Sequence, residues 1–254
     1  MRRAWPLLLA LLLAGCATGG AGPRDENRDL VPTPEAAQPN ALLGIEFIKQ
    51  GDNAQALYHL KRALVHDPQL VLAHNAIGVL YERLEEYELA EKHFRTAAQL
   101  APSDSDALNN YGRLLCNRGR YAEAEQRFQQ ALQNPVYRTP QNTFTNLGLC
   151  ALKAGDSGKA EHYFRQALGK APRFPPALFE LAKLNWAQGN GLQARAYLQR
   201  LAAVIPLTAE VLWLGVQVER ALGDRDAEAS YALQLRNTYP DSAEARQLSS
   251  MVPK

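Results

Sequence analysis

The chain is poor in the residues that make chemistry. Five histidines and three cysteines are scattered over 254 positions. No His-Glu-x-x-His, no Cys-x-x-Cys and no Gly-x-Ser-x-Gly occurs, so neither a zinc site nor a serine nucleophile has support in the sequence. A Gly19-Gly20-Ala21-Gly22 run exists, but no Gly-Lys-Ser/Thr follows it, which rules out a phosphate loop. Charge of one sign is also missing. The formal net charge is +2, and removal of residues 1–15, with Arg2 and Arg3, would leave zero. A basic footprint for nucleic acid is therefore absent. The one sustained apolar run, Trp5 to Leu13, is too short to span a bilayer as a helix.

That run has another use. Arg2 and Arg3, the apolar stretch and Leu13-Ala14-Gly15-Cys16 form a basic start, an apolar core and a small-residue cleavage site. This is the layout of a secretory signal. It resembles a bacterial lipoprotein signal, in which Cys16 becomes the lipidated first residue. Residues 1–15 are then the signal peptide. Residues 16–36, with Gly19, Gly20, Gly22, Pro23, Pro32 and Pro34 and no helical periodicity, read as the lipidated cysteine and a flexible tether. Cys116 and Cys150 remain. An oxidising compartment allows a disulfide. They fall two residues out of phase in neighbouring repeats, however, and packing as unpaired apolar side chains is the expectation.

What the chain has in quantity is periodicity. Ala56, Ala90, Ala124, Ala160, Ala194 and Ala227 recur at intervals of 33 to 36 residues. Each is followed four residues later by Leu60, Phe94, Phe128, Phe164, Leu198 or Tyr231, and each is preceded by Gly44, Gly78, Gly112, Gly148, Ala182 or Gly215. Prolines at 68, 102, 172, 206 and 240 close most units. A small residue, a small residue, a large one and a terminal proline make the tetratricopeptide signature, a helix–turn–helix that must stack to bury its apolar face. The predicted fold is all-α, a right-handed superhelical solenoid of about six such units over 37–242, with a C-terminal tail at 243–254. A concave surface lined by the first helices is the expected working face.

Two places break the pattern. Asn134 to Pro140 carries a two-residue insertion, read equally as a contact loop bearing Tyr137 and Arg138 or as a spacer that alters the pitch. In the second unit Leu84-Glu85-Glu86 stands where other units have a glycine turn. By analogy with other repeats of this type, Ile45, Ile48, Leu72 and Val79 line the concave face at its N-terminal end. They are apolar where an end unit should be wet, and so they are candidates for partner binding. Asn75 and Asn109, with Asn142, form a series able to bond an extended backbone, or simply make the concave face polar and hydrated. Phe179 and Trp186 offer a second aromatic surface. The Glu91-Lys92-His93 and Glu161-His162 pairs read as solvated helix surface.

Five features occur together behind the lipoprotein signal: Asn109-Asn110-Tyr111-Gly112, the Arg120-Tyr121-x-Glu123-Ala124 turn, the inserted loop, Asn146-Leu147-Gly148-Leu149 and the run Arg225–Leu235. In this combination the chain resembles the type IV pilus biogenesis and stability lipoproteins, the PilF/PilW-type pilotin family. The resemblance implies a protein anchored through Cys16 at the periplasmic face of the outer membrane. Its partner would be the pilus secretin, bound through the first units and helped to reach the membrane and assemble. It implies no enzyme activity, no cofactor, no nucleic acid and no small-molecule substrate. A scaffold lipoprotein for another envelope assembly or cell-wall synthesis complex is the competing reading.

Overall fold

The computed structural model describes residues 31–250. Cys16 and most of the expected tether lie outside them. Among the described residues there are thirteen helices and no strand. They are α1 (Pro34–Gln50), α2 (Asn53–His66), α3 (Val71–Arg83), α4 (Tyr87–Leu100), α5 (Ser105–Asn117), α6 (Tyr121–Leu132), α7 (Pro140–Lys153), α8 (Ser157–Lys170), α9 (Pro175–Ala187), α10 (Gly191–Ala202), α11 (Ala209–Leu222), α12 (Arg225–Thr238) and α13 (Ala243–Ser250). Consecutive helices pair as hairpins, α1 with α2 through α11 with α12, and first helices of successive pairs also touch, α1 with α3, α3 with α5, α5 with α7 and α9 with α11. This is a solenoid of six tetratricopeptide units.

The small–large spacing explains each hairpin. A Cβ placed on Gly78 would stand 2.7 Å from the Phe94 ring, so only glycine lets α3 and α4 approach this closely. In the fifth unit the pair is Ala182 and Leu198, both fully buried, so this crossing takes a methyl group where the other units have glycine. Phe94, Phe128 and Phe164 are completely enclosed, each in the seam its unit shares with its neighbours. Three second helices start after an aspartate: the Asp52, Asp156 and Asp224 carboxylates accept the N–H of Gln55, Lys159 and Ala227 at 2.8–3.1 Å. That satisfies donors a helix N-terminus leaves open. Asp104 does the same for α5 at 2.9 Å.

The irregular turn of the second unit keeps the same backbone shape. Glu85 takes a φ of 62°, in the place where other units use glycine at 75–84°. A left-handed non-glycine residue is strained, so this turn holds its shape through its neighbours rather than through its own preference.

Three expectations need correction. Cys116 on α5 and Cys150 on α7 are joined in a disulfide, with Cα atoms 5.7 Å apart. Their offset in the repeat does not keep them apart, because α5 and α7 lie side by side. A two-residue offset is only about 3 Å along a helix at 1.5 Å per residue. The polar stretch read as a tail from residue 243 is largely α13. Its Ala245 and Leu248 are buried against α11 and α12 and close the exposed end of the core. The first helix starts at Pro34, within the stretch assigned to the tether. Proline suits the first turn of a helix, where no N–H is needed. The start is fixed by the Thr33 N–H, which donates to Nδ1 of the buried His66 at 3.0 Å.

Candidate functional site

The four apolar residues singled out at the N-terminal end do come together. Ile45, Ile48 and Lys49 from α1 face Leu72, Asn75, Ala76 and Val79 from α3 across a groove of about 190 Å³. The spacing accounts for this. Ile45 and Ile48 lie three apart on one helix, and Leu72, Asn75/Ala76 and Val79 recur at three or four on the other, so each set shares a face. Leu42, one turn before Ile45, is 53% exposed and extends the apolar strip beyond the groove's lip.

These side chains are not fully exposed, as the sequence reading assumed. Ile45, Ile48 and Leu72 are half-buried and pack on the core of Leu60, Ile77 and Leu80, while Val79 is half-buried and packs on the next core. The groove floor is thus part of the fold, and only its upper surface is available. At its far end the exposed Arg83 guanidinium donates from Nη1 to the Ile48 carbonyl at 2.8 Å. Beside it Lys49 meets Glu46 at 3.2 Å in the open. The hydrogen bond from Lys49, with that from Gln50, holds the Glu46 carboxyl below its ordinary value.

The asparagine series has a different role from the one expected. Asn75 Oδ1 accepts from Asn110 Nδ2 at 3.1 Å, and Asn109 Oδ1 accepts from Asn146 Nδ2 at 3.0 Å. Asn109 is buried, and Asn142 takes no part. The pairs link first helices of successive units, so their carbonyl oxygens are already used. The doubled Asn109-Asn110, with Asn146 in the next unit, was the signal for such a ladder. It is continued by Arg113 to Glu82 at 2.8 Å, Asn117 to Glu82 at 3.0 Å and Lys153 to Asn117 at 2.6 Å. The concave face of units two to four is therefore bonded to itself. Phe179 lies under the Lys183 ammonium at 4.7 Å, and both it and Trp186 pack on the C-terminal core.

The inserted loop is pinned rather than loose. Tyr137 shares a hydrogen bond with Thr143 at 3.1 Å, and Asn134 donates to the Ser103 carbonyl at 3.2 Å. Burial pushes the Tyr137 phenol above its usual range.

His93, taken as solvated surface, instead bonds His74, Nδ1 to Nδ1 at 3.1 Å. His74 Nε2 lies 3.0 Å from the Pro68 carbonyl. That carbonyl can only accept, so His74 Nε2 carries a proton; when His74 is neutral its Nδ1 accepts from His93, and when it is charged its Nδ1 donates to a neutral His93. Burial, followed by the charges of His74 and Lys92, lowers the His93 pKa to about 4. His93 also borders a second apolar cleft of about 270 Å³ with Leu57, Leu64, Val65, Ile77 and Tyr81.

With the groove, the ladder and the six units in place, likeness to known proteins has a structural frame. Profiles described as Tetratricopeptide repeat match residues 69–134, 103–172 and 151–212, and one described as TPR repeat matches 44–85. The chain is 34% identical over 253 residues to the type IV pilus assembly protein PilF of Pseudomonas aeruginosa, covering 98% of each. The crystal structure of PilW, described as a widely conserved type IV pilus biogenesis factor, superposes with a TM-score of 0.77 at 33% identity, over 85% of this chain and 99% of that one. A structure of P. aeruginosa PilF superposes with a TM-score of 0.75 at 32% identity, over 86% and 98%. The end-to-end match covers the repeats, the insertion and the terminal helix alike, and the chain belongs to the PilF/PilW family of tetratricopeptide proteins of type IV pilus biogenesis.

Proposed function

We propose that this protein is a pilotin: an outer-membrane lipoprotein, anchored through Cys16 at the periplasmic face, that binds secretin subunits and promotes their localisation and multimer assembly. The observation that carries the reading is the apolar groove between α1 and α3, on the first units of a pilus-biogenesis repeat protein whose first helices are bonded to one another across units two to four. A groove of two helix walls and an apolar floor suits the apolar face of a short amphipathic helix. The lipid anchor rests on the Leu-Ala-Gly-Cys signal. More than one acyl chain is needed for durable attachment. With Ala17 after the cysteine, by resemblance to sorted lipoproteins, the destination is the outer membrane.

Affinity capture with the full-length protein tests the partner. Secretin should be retained by the unaltered protein and lost with Ile48→Asp, and deletion of the gene should abolish surface pili and twitching. Capture of a cell-wall synthase or another assembly machine in place of secretin, with pili intact, would overturn the pilotin reading in favour of an envelope scaffold. Cys16→Ser should leave the protein unprocessed or in the soluble fraction; mass spectrometry finding an unmodified Cys16 in membrane-bound protein would count against the anchor.

A further inference from the structure

The groove is electrically lopsided. At the Leu72 end its lining carries no charge. At the other end stand Lys49 and, one turn beyond Val79 on α3, Arg83. Lys49 is accompanied by Glu46, but both are solvent-exposed, and such a pair is held weakly. Arg83 has no carboxylate partner among the described residues. The nearby Glu82 bonds Arg113 and Asn117 through Oε1 and makes no ion pair with Arg83 among the described residues.

Arg83 is nevertheless held in place. Its Nη1 donates to the Ile48 carbonyl, and its Nη2 lies beside Gly51. The guanidinium therefore lies over the C-terminal end of α1, at the mouth of the groove. A guanidinium has five N–H donors in a rigid fork, and the carbonyl takes one. The rest are open to a planar anion, and the bond to the Ile48 carbonyl favours one orientation of the fork.

Building on the secretin-groove reading, we infer that the bound segment carries an acidic side chain one helical turn beyond its apolar anchors, and that Arg83, assisted by Lys49, receives it. Leu72 to Arg83 spans about 16 Å at 1.5 Å per residue, or three helical turns. The complementary segment thus places apolar residues over Leu72, Ile45 and Val79–Ile48, and its carboxylate at the Arg83 end. The charge pair fixes which way the segment lies, because reversing it would set the carboxylate over the uncharged Leu72 end. Rim charges of this kind act more on register and association rate than on total affinity.

The test uses the full-length protein, detergent-solubilised secretin and overlapping secretin peptides of about 15 residues, long enough for three to four turns of helix. The peptides are amidated, so that they present no terminal carboxylate. The peptide that binds the unaltered protein and is lost with Val79→Asp should contain an Asp or Glu next to its apolar stretch. Arg83→Glu should weaken that peptide, and intact secretin, about tenfold at low salt and distinctly less at high salt. Changing the peptide's acidic residue to Lys should restore binding to Arg83→Glu, and an unchanged melting temperature shows that the variant folds. A Val79→Asp-sensitive peptide or secretin that binds Arg83→Glu as tightly as the unaltered protein overturns the acidic subsite and leaves the groove standing. Binding that demands a free peptide C-terminus overturns the side-chain source. If neither secretin nor any peptide shows Val79→Asp-sensitive binding, the groove reading fails first and takes the subsite with it.

Discussion

The joint between the first two units and the joint between the third and fourth are built from the same repeat, yet they are closed in opposite ways. Across the third joint run the Cys116–Cys150 disulfide, the Asn109–Asn146 and Asn117–Lys153 hydrogen bonds, and the Lys159–Glu125 ion pair at 2.6 Å with Tyr163 donating to the same carboxylate at 2.8 Å. Across the first joint, α1 and α3 face each other over Ile45, Ile48, Leu72 and Val79, and the cross-link among the described side chains is Arg83 on the Ile48 carbonyl. Polar groups that bond each other on folding leave little for a partner to gain. Apolar side chains left half-covered keep a hydrophobic gain in reserve. One joint maintains the shape of the solenoid, and the other is open for recognition.

The largest effect should come from the enclosed ring at the third unit. Phe128→Ala removes a fully buried side chain and should cost about 3–5 kcal/mol. In a solenoid that damage couples mainly to neighbouring units. Hydrogen exchange should rise most in α5–α8. A uniform rise through all six units would contradict the distinction between joints.

Next is the disulfide, which closes a loop of 34 residues. In the chain-entropy account, Cys116→Ser with Cys150→Ser should destabilise by about 3–4 kcal/mol. Urea unfolding with and without reductant measures it. Secretin capture by the double variant at low temperature should persist, because the groove lies two units away. Its loss would show that the closed joint sets the shape of the open one.

At the open joint, Val79→Asp should abolish partner binding while costing the free protein about 1–2 kcal/mol, since its side chain is half-buried and a carboxylate there is partly desolvated. A thermal melt and a binding titration on the same sample separate the two. Full stability with full binding would place recognition elsewhere, with the Phe179 and Trp186 surface next in line.

The smallest effect concerns pH. His93 has a folded pKa of about 4, below its ordinary 6.5, so the unfolded chain binds the proton more readily. Its contribution is complete above about pH 6.5 and fades as pH falls toward 4. Allowing for its partial exposure, this amounts to about 1 kcal/mol. The third joint behaves differently. Burial disfavours the Glu125 carboxylate, but the hydrogen bonds from Lys159 and Tyr163 outweigh it and hold its pKa below the usual value. Its stabilisation is lost only as pH drops through that lowered value. Between pH 6.5 and 4, exchange should therefore rise in α3 and α4 before α7 and α8. His93→Gln should remove the difference.

Much of the fold was legible because its causes are local. The Gly78–Phe94 spacing, the Asp52 and Asp156 caps and the glycine turns each act within one hairpin, so a linear pattern records them. The groove residues were legible for a related reason: Ile45 and Ile48 repeat at helical spacing beside the face that carries Gly44, and apolar residues there stand out. Several contacts went unread. The His74–His93 bond, the Asn75–Asn110 and Asn109–Asn146 pairs and the grip of Arg83 on Ile48 join residues 19 to 37 positions apart. Each depends on the offset between helices rather than on either helix alone.

By itself the sequence determined the repeat, the number of units and the apolar character of the first unit's concave face, because helix periodicity and close packing write themselves into spacing. The tertiary structure alone decided which polar groups satisfy one another, that Cys116 meets Cys150, that α13 covers the last unit, and that the groove side chains are half-sunk. The reason is geometric. How far one unit is displaced and rotated against the next sets these contacts to within a few ångströms, and a two-residue insertion at one joint changes that displacement without changing the pattern of either neighbour.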